Sequence, residues 1–165
     1  MRIIRENPSH DYFHPCSAVQ INNVLDRLPV QFTKDIRVVV LRRTPTYDEW
    51  AGVEARCRYS CIILNAFPKD LKMAWYSRLT QAQRNHIEPW CSRWREENSR
   101  RILQWINSEI RKYHLYHLLL HEVGHIHDYY HHKGYKRREA YAENFALEWA
   151  SRFGKLPGKG VGHLT

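Results

Sequence analysis

The sequence predicts an α+β domain in which strands gathered in the first half form a small β-sheet and a helical second half packs against it. Two observations carry this. Runs rich in β-branched residues occur at 36–41 and 58–65, and the β signal fades from about Leu71, beyond which apolar residues recur at three- or four-residue steps. Strands followed by helices, rather than alternating with them, are the pattern of an α+β fold. No internal repeat and no long linker divides the chain, so residues 1–165 read as one domain.

The first element is a helix over 17–28, where Val19, Ile21, Val24, Leu25 and Leu28 share a face, Ser17 serves as N-cap and Pro29 stops the run. Strands follow at 36–41 and 58–65, with a third expected at 50–55 to complete the sheet. In the second half, Ile102, Leu103, Ile106, Ile110, Tyr113 and His117 follow a helical spacing; Pro89 marks a break, and Asn98 or Ser99 is the expected cap of the next helix. Helices are expected through 113–130 and 137–153. Gly154 suits the residue just past a helix end, and 155–165, including Pro157 and Gly158, read as a loose tail.

The composition excludes several classes. With 43% hydrophobic and 26% charged residues, and only seven each of Gly and Pro, the chain is neither collagen-like nor low-complexity nor disordered. No apolar run approaches the roughly 20 residues of a membrane span, and the N-terminal residues lack the apolar stretch of a signal peptide, so a cytoplasmic protein is expected. Net charge is +9, with basic residues concentrated at Arg93, Arg95, Arg100 and Arg101 and at Lys133, Lys136, Arg137 and Arg138. Solvated faces account for these better than a nucleic-acid surface does, although a net positive charge favours acidic partners. Cys16, Cys57, Cys61 and Cys91 are too few and too irregular for a disulfide scaffold and read as buried free thiols. Trp75, Trp90, Trp94 and Trp105 read as core.

One constellation carries chemistry. His121-Glu122-Val123-Gly124-His125 lies within the helical stretch 113–130, and residues four apart stand one turn above each other, so both imidazoles reach one ion. Glu122 projects beside that ion, placed to take the proton of an attacking water. A third ligand must come from elsewhere. His131 has a suitable six-residue spacing from His125, but Asp128 stands where a glycine would let the chain turn. Glu139 is the preferred candidate, with Glu143 and Asp128 as alternatives. On the helix 137–153, Glu139, Ala142, Glu143, Ala146 and Ala150 make one stripe, small enough for close approach of the other helix with Gly124 as counterpart, while Tyr141, Phe145 and Trp149 anchor another face. Glu143 is then placed to accept a hydrogen bond from a ligand imidazole. His114, His117, His127 and His132 read as polar edges or supporting groups rather than ligands.

The run His121-Glu122-Val123-Gly124-His125-Ile126-His127-Asp128, followed by Glu139-Ala140-Tyr141-Ala142-Glu143-Asn144-Phe145, resembles the gluzincin zinc metallopeptidases. It is similar to the catalytic domain of anthrax lethal factor and its relatives, and to the ImmA/IrrE-type peptidases. The resemblance covers about residues 117–150. It implies zinc held by His121, His125 and Glu139, Glu122 as general base, Glu143 in support, and a zincin-like fold with a small twisted sheet on the active-site helix. The family's transition-state tyrosine would fall on His132, which leaves His132 or Tyr135 to supply that hydrogen bond. The function so implied is endopeptidase action on a protein or peptide substrate, acidic or nucleic-acid-associated in keeping with the charge. The rival reading is a basic nucleic-acid or protein-binding module with a structural or degenerate zinc site.

Overall fold

The computed structural model describes residues 1–74, 85–98, 100–131, 138–157 and 162–163. Its elements run β1 (Arg2–Arg5), β2 (Tyr12–Phe13), α1 (Ala18–Leu25), α2 (Val30–Thr33), β3 (Val38–Arg42), α3 (Thr46–Ala51), β4 (Ala55–Arg58), β5 (Cys61–Asn65), β6 (Phe67–Pro68) and β7 (Lys72–Ala74). After a short 3₁₀ turn at Glu88–Trp90 come β8 (Arg93–Glu97) and β9 (Arg100–Gln104). Then follow α4 (Asn107–Tyr113), a π-helical turn (His114–Leu118), α5 (Leu119–His131), α6 (Arg138–Arg152) and β10 (Gly162–His163). The α+β class is as expected.

The first sheet has the order β1-β3-β5-β4. The first three strands are parallel, joined by crossovers that contain helices, and β4 lies antiparallel at the edge with Cys57 opposite Ile62. Alternation in β3 and β5 buries Val39, Leu41, Ile62 and Leu64 on one face. Against them pack Ile21, Val24 and Leu25 of α1, Ile110 of α4 and Leu119, Leu120, Val123 and Ile126 of α5. Each such side chain contributes roughly 1.5–3 kcal/mol by leaving water. Ser17 caps α1 through a reciprocal box: its hydroxyl accepts from the Gln20 backbone N–H while the Gln20 side chain accepts from its own.

Several expectations are corrected. Residues 50–55 are not a strand: Trp50 and Ala51 end α3, and Gly52 at φ 66 turns the chain so that the strand begins at Ala55. Residues 58–65 are two strands, because Tyr59 at φ 52 makes the hairpin turn between Arg58 and Cys61. Cys57 and Cys61 therefore sit on neighbouring strands, half-buried rather than buried, although all four thiols are free as expected. The largest correction is a second sheet, order β10-β8-β9-β7, where helix was expected. Ile102 and Leu103 belong to β9, Asn98 at φ 50 lies in the turn after β8 rather than capping a helix, and Ser99 lies outside the described residues. The helix starts instead at Asn107, where Glu109 accepts from the Ile106 N–H. The tail is not wholly loose, since β10 pairs in parallel with Arg93 and Trp94.

From Asn107 to Arg152 the described helices follow expectation closely. Gly154 at φ 64 ends α6, with its N–H on the Ser151 carbonyl and the Lys155 N–H on the Ala150 carbonyl. Phe145 and Trp149 meet Phe32 at ring separations of 5.1 and 5.6 Å. Trp90 and Trp105 are core residues; Trp94 is half-buried under the Arg101 guanidinium, and Trp75 lies outside the described residues. Arg95 pairs with Glu97 and Arg101 with Glu88, so these basic residues are partly neutralised, while Lys133, Lys136 and Arg137 lie outside the described residues. Among the described residues no helix is long and apolar enough to cross a membrane.

Two consequences are measurable. A Cβ on Gly124 would stand 2.8 Å from the Ala142 Cα and 3.1 Å from the Phe145 Cβ. Gly124→Ala therefore forces α5 and α6 apart, costing about 1–3 kcal/mol against a helix-propensity gain of about 1, and a thermal melt should show Tm falling by several degrees. Glu54 accepts a 2.6 Å hydrogen bond from the buried Tyr113 hydroxyl, yet burial pushes its carboxyl up to about 7 from 4.5. Ionising it thus opposes folding: the penalty is absent below about pH 4.5, grows as pH rises and levels off above about pH 7. Glu54→Gln keeps an acceptor for Tyr113, and urea denaturation should show it more stable than wild type by about 1–3 kcal/mol near pH 8 and unchanged near pH 4.5.

Candidate metal centre

His121 and His125 stand one turn apart on α5 with their ring centroids 4.6 Å apart and their planes nearly perpendicular. Glu139, in the first turn of α6, faces both: one carboxylate oxygen is 3.4 Å from His121 Nε2 and the other 3.4 Å from His125 Nε2. Donors about 2.0–2.1 Å from zinc at tetrahedral angles are roughly 3.3–3.4 Å apart. Each imidazole nitrogen thus stands from its nearer Glu139 oxygen at the separation of zinc donors, and one donor atom from each of the three residues lies within 4.8 Å of the other two. The Glu139 side chain is 84% exposed, so the fourth position opens to solvent.

The other candidates fall elsewhere. His131 turns away to Asp35, 3.0 Å from its Nε2, and stacks on His127. Asp128 is buried on α5 outside the donor cluster, and Glu143 lies behind His121, 3.4 Å from its Nδ1 and outside the group formed by His121, His125 and Glu139. His127 Nδ1 is 2.7 Å from the Tyr141 hydroxyl. His132 and Tyr135 lie outside the described residues. His114 is not a polar edge: it is fully buried, and its Nδ1 donates to the Ile110 carbonyl at 3.0 Å.

Glu122 is buried beside the cluster. Burial pushes its carboxyl up to about 7 against the pull of His121 and of hydrogen bonds from the Cys57 thiol and backbone N–H. Burial and the Glu122 charge push Cys57 up to about 12, so it stays a thiol and a donor. At His121 burial is outweighed by the hydrogen bond to Glu143 and the charges of Glu122, Glu139 and Glu143, and its pKa rises; at His125 burial and the neighbouring His121 lower it. A proton therefore competes with a metal at His121, and binding should weaken on acidification.

Two residues here had no sequence signal. Cys57 comes from the edge strand, and His86 comes from a segment far from both helices, its Nδ1 2.9 Å from Glu143 Oε2. A cavity of about 770 Å³ lies apart from this cluster, lined in part by Asp48, Glu49, Glu54, Phe67 and Met73.

No known family's model matches this chain, and no curated protein or solved structure matches it.

Glu139→Ala removes one of three donors while leaving an exposed helix surface intact. Elemental mass spectrometry should find one zinc fewer per chain than in wild type, with the circular dichroism spectrum unchanged.

Proposed function

We propose that this chain is a zinc-dependent endopeptidase of the gluzincin kind. The observation that carries this reading is the convergence of His121 Nε2 and His125 Nε2, both on α5, with the two oxygens of Glu139 on α6, each nitrogen 3.4 Å from one oxygen. Held by these residues, zinc would supply Lewis acidity to a substrate carbonyl and lower the pKa of a water toward about 7.

The remaining steps belong to the chain. Glu122, adjacent to the first ligand and buried, takes the proton of the attacking water and passes it to the leaving nitrogen as the peptide bond breaks. A carboxyl set near 7 both accepts and returns a proton readily at neutral pH. Cys57 donates to the ionised form and so fixes the carboxylate in place. Glu143 Oε2 lies 3.4 Å from His121 Nδ1, on the side of the ring away from Nε2, which is left free for the metal.

The edge strand supports a peptide substrate. β4 pairs with β5 on one side, and among the described residues no strand covers its other edge. Apart from the Cys57 N–H, which is engaged by Glu122, the outer edge of β4 would offer its backbone groups to an extended peptide, and Cys57 places that edge beside Glu122. The antiparallel edge strand next to the histidine helix also agrees with a zincin-like fold. The binding-module alternative has less support, because the described basic residues of β8 and β9 include Arg95 and Arg101, each paired with a carboxylate.

Glu122→Gln keeps the shape and the ligands. It should lower kcat for hydrolysis of an unstructured protein substrate by about 10²–10⁴-fold while zinc content stays at the wild-type level. Unchanged hydrolysis would remove Glu122 from the chemistry and with it this reading.

A further inference from the structure

Beside the first centre lies a second convergence of donors. His117, in the π-helical turn, directs Nε2 toward Glu143 Oε2 at 3.8 Å, and His86 brings Nδ1 to 2.9 Å from the same oxygen. The three donor atoms lie within 4.8 Å of one another. We infer that His86, His117 and Glu143 form a second metal site, for a divalent first-row transition ion such as zinc, distinct from the centre at His121, His125 and Glu139.

Three features favour a cation over a hydrogen-bonded cluster. First, Glu143 Oε2 faces three imidazole nitrogens, of His86, His117 and His121, and one carboxylate oxygen has two lone pairs to offer. At 3.8 Å His117 is beyond hydrogen-bond reach of it, and the buried Nδ1 of His117 has no hydrogen-bond partner either. A buried imidazole left in this way costs free energy unless a ligand engages it. Second, His117 is rigid: its ring stacks on Tyr113 at 5.2 Å and 16°, and Trp90 lies 5.6 Å away. Third, two imidazoles and one carboxylate are a common donor set for zinc and its neighbours in the first transition row. The observed separations of 2.9 and 3.8 Å bracket the tetrahedral edge of roughly 3.3 Å.

The π-helical turn explains how α4 and α5 accommodate this. Widening the helix at His114–Leu118 adds a residue between His117 and the preceding turn, which turns His117 toward α6 just ahead of His121. His86 is 40% exposed in its side chain, which gives an ion a path from solvent. Glu143 contacts both centres, so the affinities of the two ions are coupled through one carboxylate.

Metal-free full-length protein titrated with Zn²⁺ in a calorimeter, and with Co²⁺ followed by visible absorption, decides the matter. Wild type should take up two equivalents. His86→Ala should lose one and keep the equivalent that depends on Glu139; Glu139→Ala should lose the other and keep the one that depends on His86. His86→Asn should repeat the His86→Ala result, and both variants should keep the wild-type circular dichroism because the side chain is partly exposed. A single equivalent, lost in Glu139→Ala and untouched by His86→Ala, overturns the second site and leaves the peptidase reading standing. Two equivalents in both wild type and His86→Ala place the second ion elsewhere and also overturn it. One equivalent that depends on His86 and not on Glu139 supports the second site and removes the first. No bound ion in wild type overturns both.

Discussion

The close approach of α5 and α6 is the constraint on which both donor clusters depend. It is set at Gly124 and Ala142, where there is no room for a Cβ on the glycine. His121 and His125 stand three residues before and one after Gly124, and Glu139 and Glu143 stand three before and one after Ala142. Each helix thus presents its two polar groups around the contact point on the face that meets the other. His121 reaches both glutamates and His125 reaches Glu139 because the backbones are this close; a methyl group between them would lengthen every one of these distances. Ala146 and Ala150 continue the stripe, fully buried, and hold the approach over the length of α6.

Within this frame two buried carboxyls have been set in opposite directions. Glu122 has one imidazole and the Cys57 donors near it, and burial wins, so its pKa rises. Glu143 is also raised by burial, but the hydrogen bond from His121 and the charges of His117, His86 and His121 outweigh that and lower it. A carboxyl raised to near 7 exchanges protons; one held ionised orients its neighbours and attracts cations. The opposite settings of the two carboxyls follow from how many imidazoles each one meets.

What was legible in the sequence is what depends on local periodicity. The four-residue spacing of His121 and His125, the alanine stripe facing Gly124, the Ser17 cap and the Gly154 stop each lie within a few residues, and the structure has them all. The second sheet was not legible because its strands carry little alternation: β8 reads Arg-Trp-Arg-Glu-Glu, and the apolar pair Ile102 and Leu103 in β9 continues by chance into the spacing of Ile106 and Ile110 on α4. β1 pairs with β3 through its backbone while its side chains stay largely exposed, which leaves no hydrophobic pattern. The approach of Glu139 to His121 and His125 was readable because α6 closely follows α5. Cys57 and His86 reach the centre from distant strands and turns, and only the tertiary fold brings them there.

Polar ties fix the edge strand at both ends, to the neighbouring strands, α3 and α4 at its start and to α5 just past its end. At its start, Asp48 is buried and accepts from Arg42, Arg56 and Asn65, while Asn65 also donates to the Val53 carbonyl at 2.7 Å and Glu54 accepts from Tyr113. In the middle, Cys57 donates to Glu122. At its end, Ser60 Oγ and the Tyr130 hydroxyl are 2.9 Å apart, and Tyr59 packs edge-on against Tyr129. These ties are polar, and those around Asp48 and Glu54 are buried, so displacing β4 from its neighbours would leave charged groups without partners and is correspondingly costly. On the peptidase reading proposed above, a peptide paired with that edge would lie beside Glu122 and the histidines of α5, and a strand anchored in this way would leave little ordering of the site to oppose a reaction there.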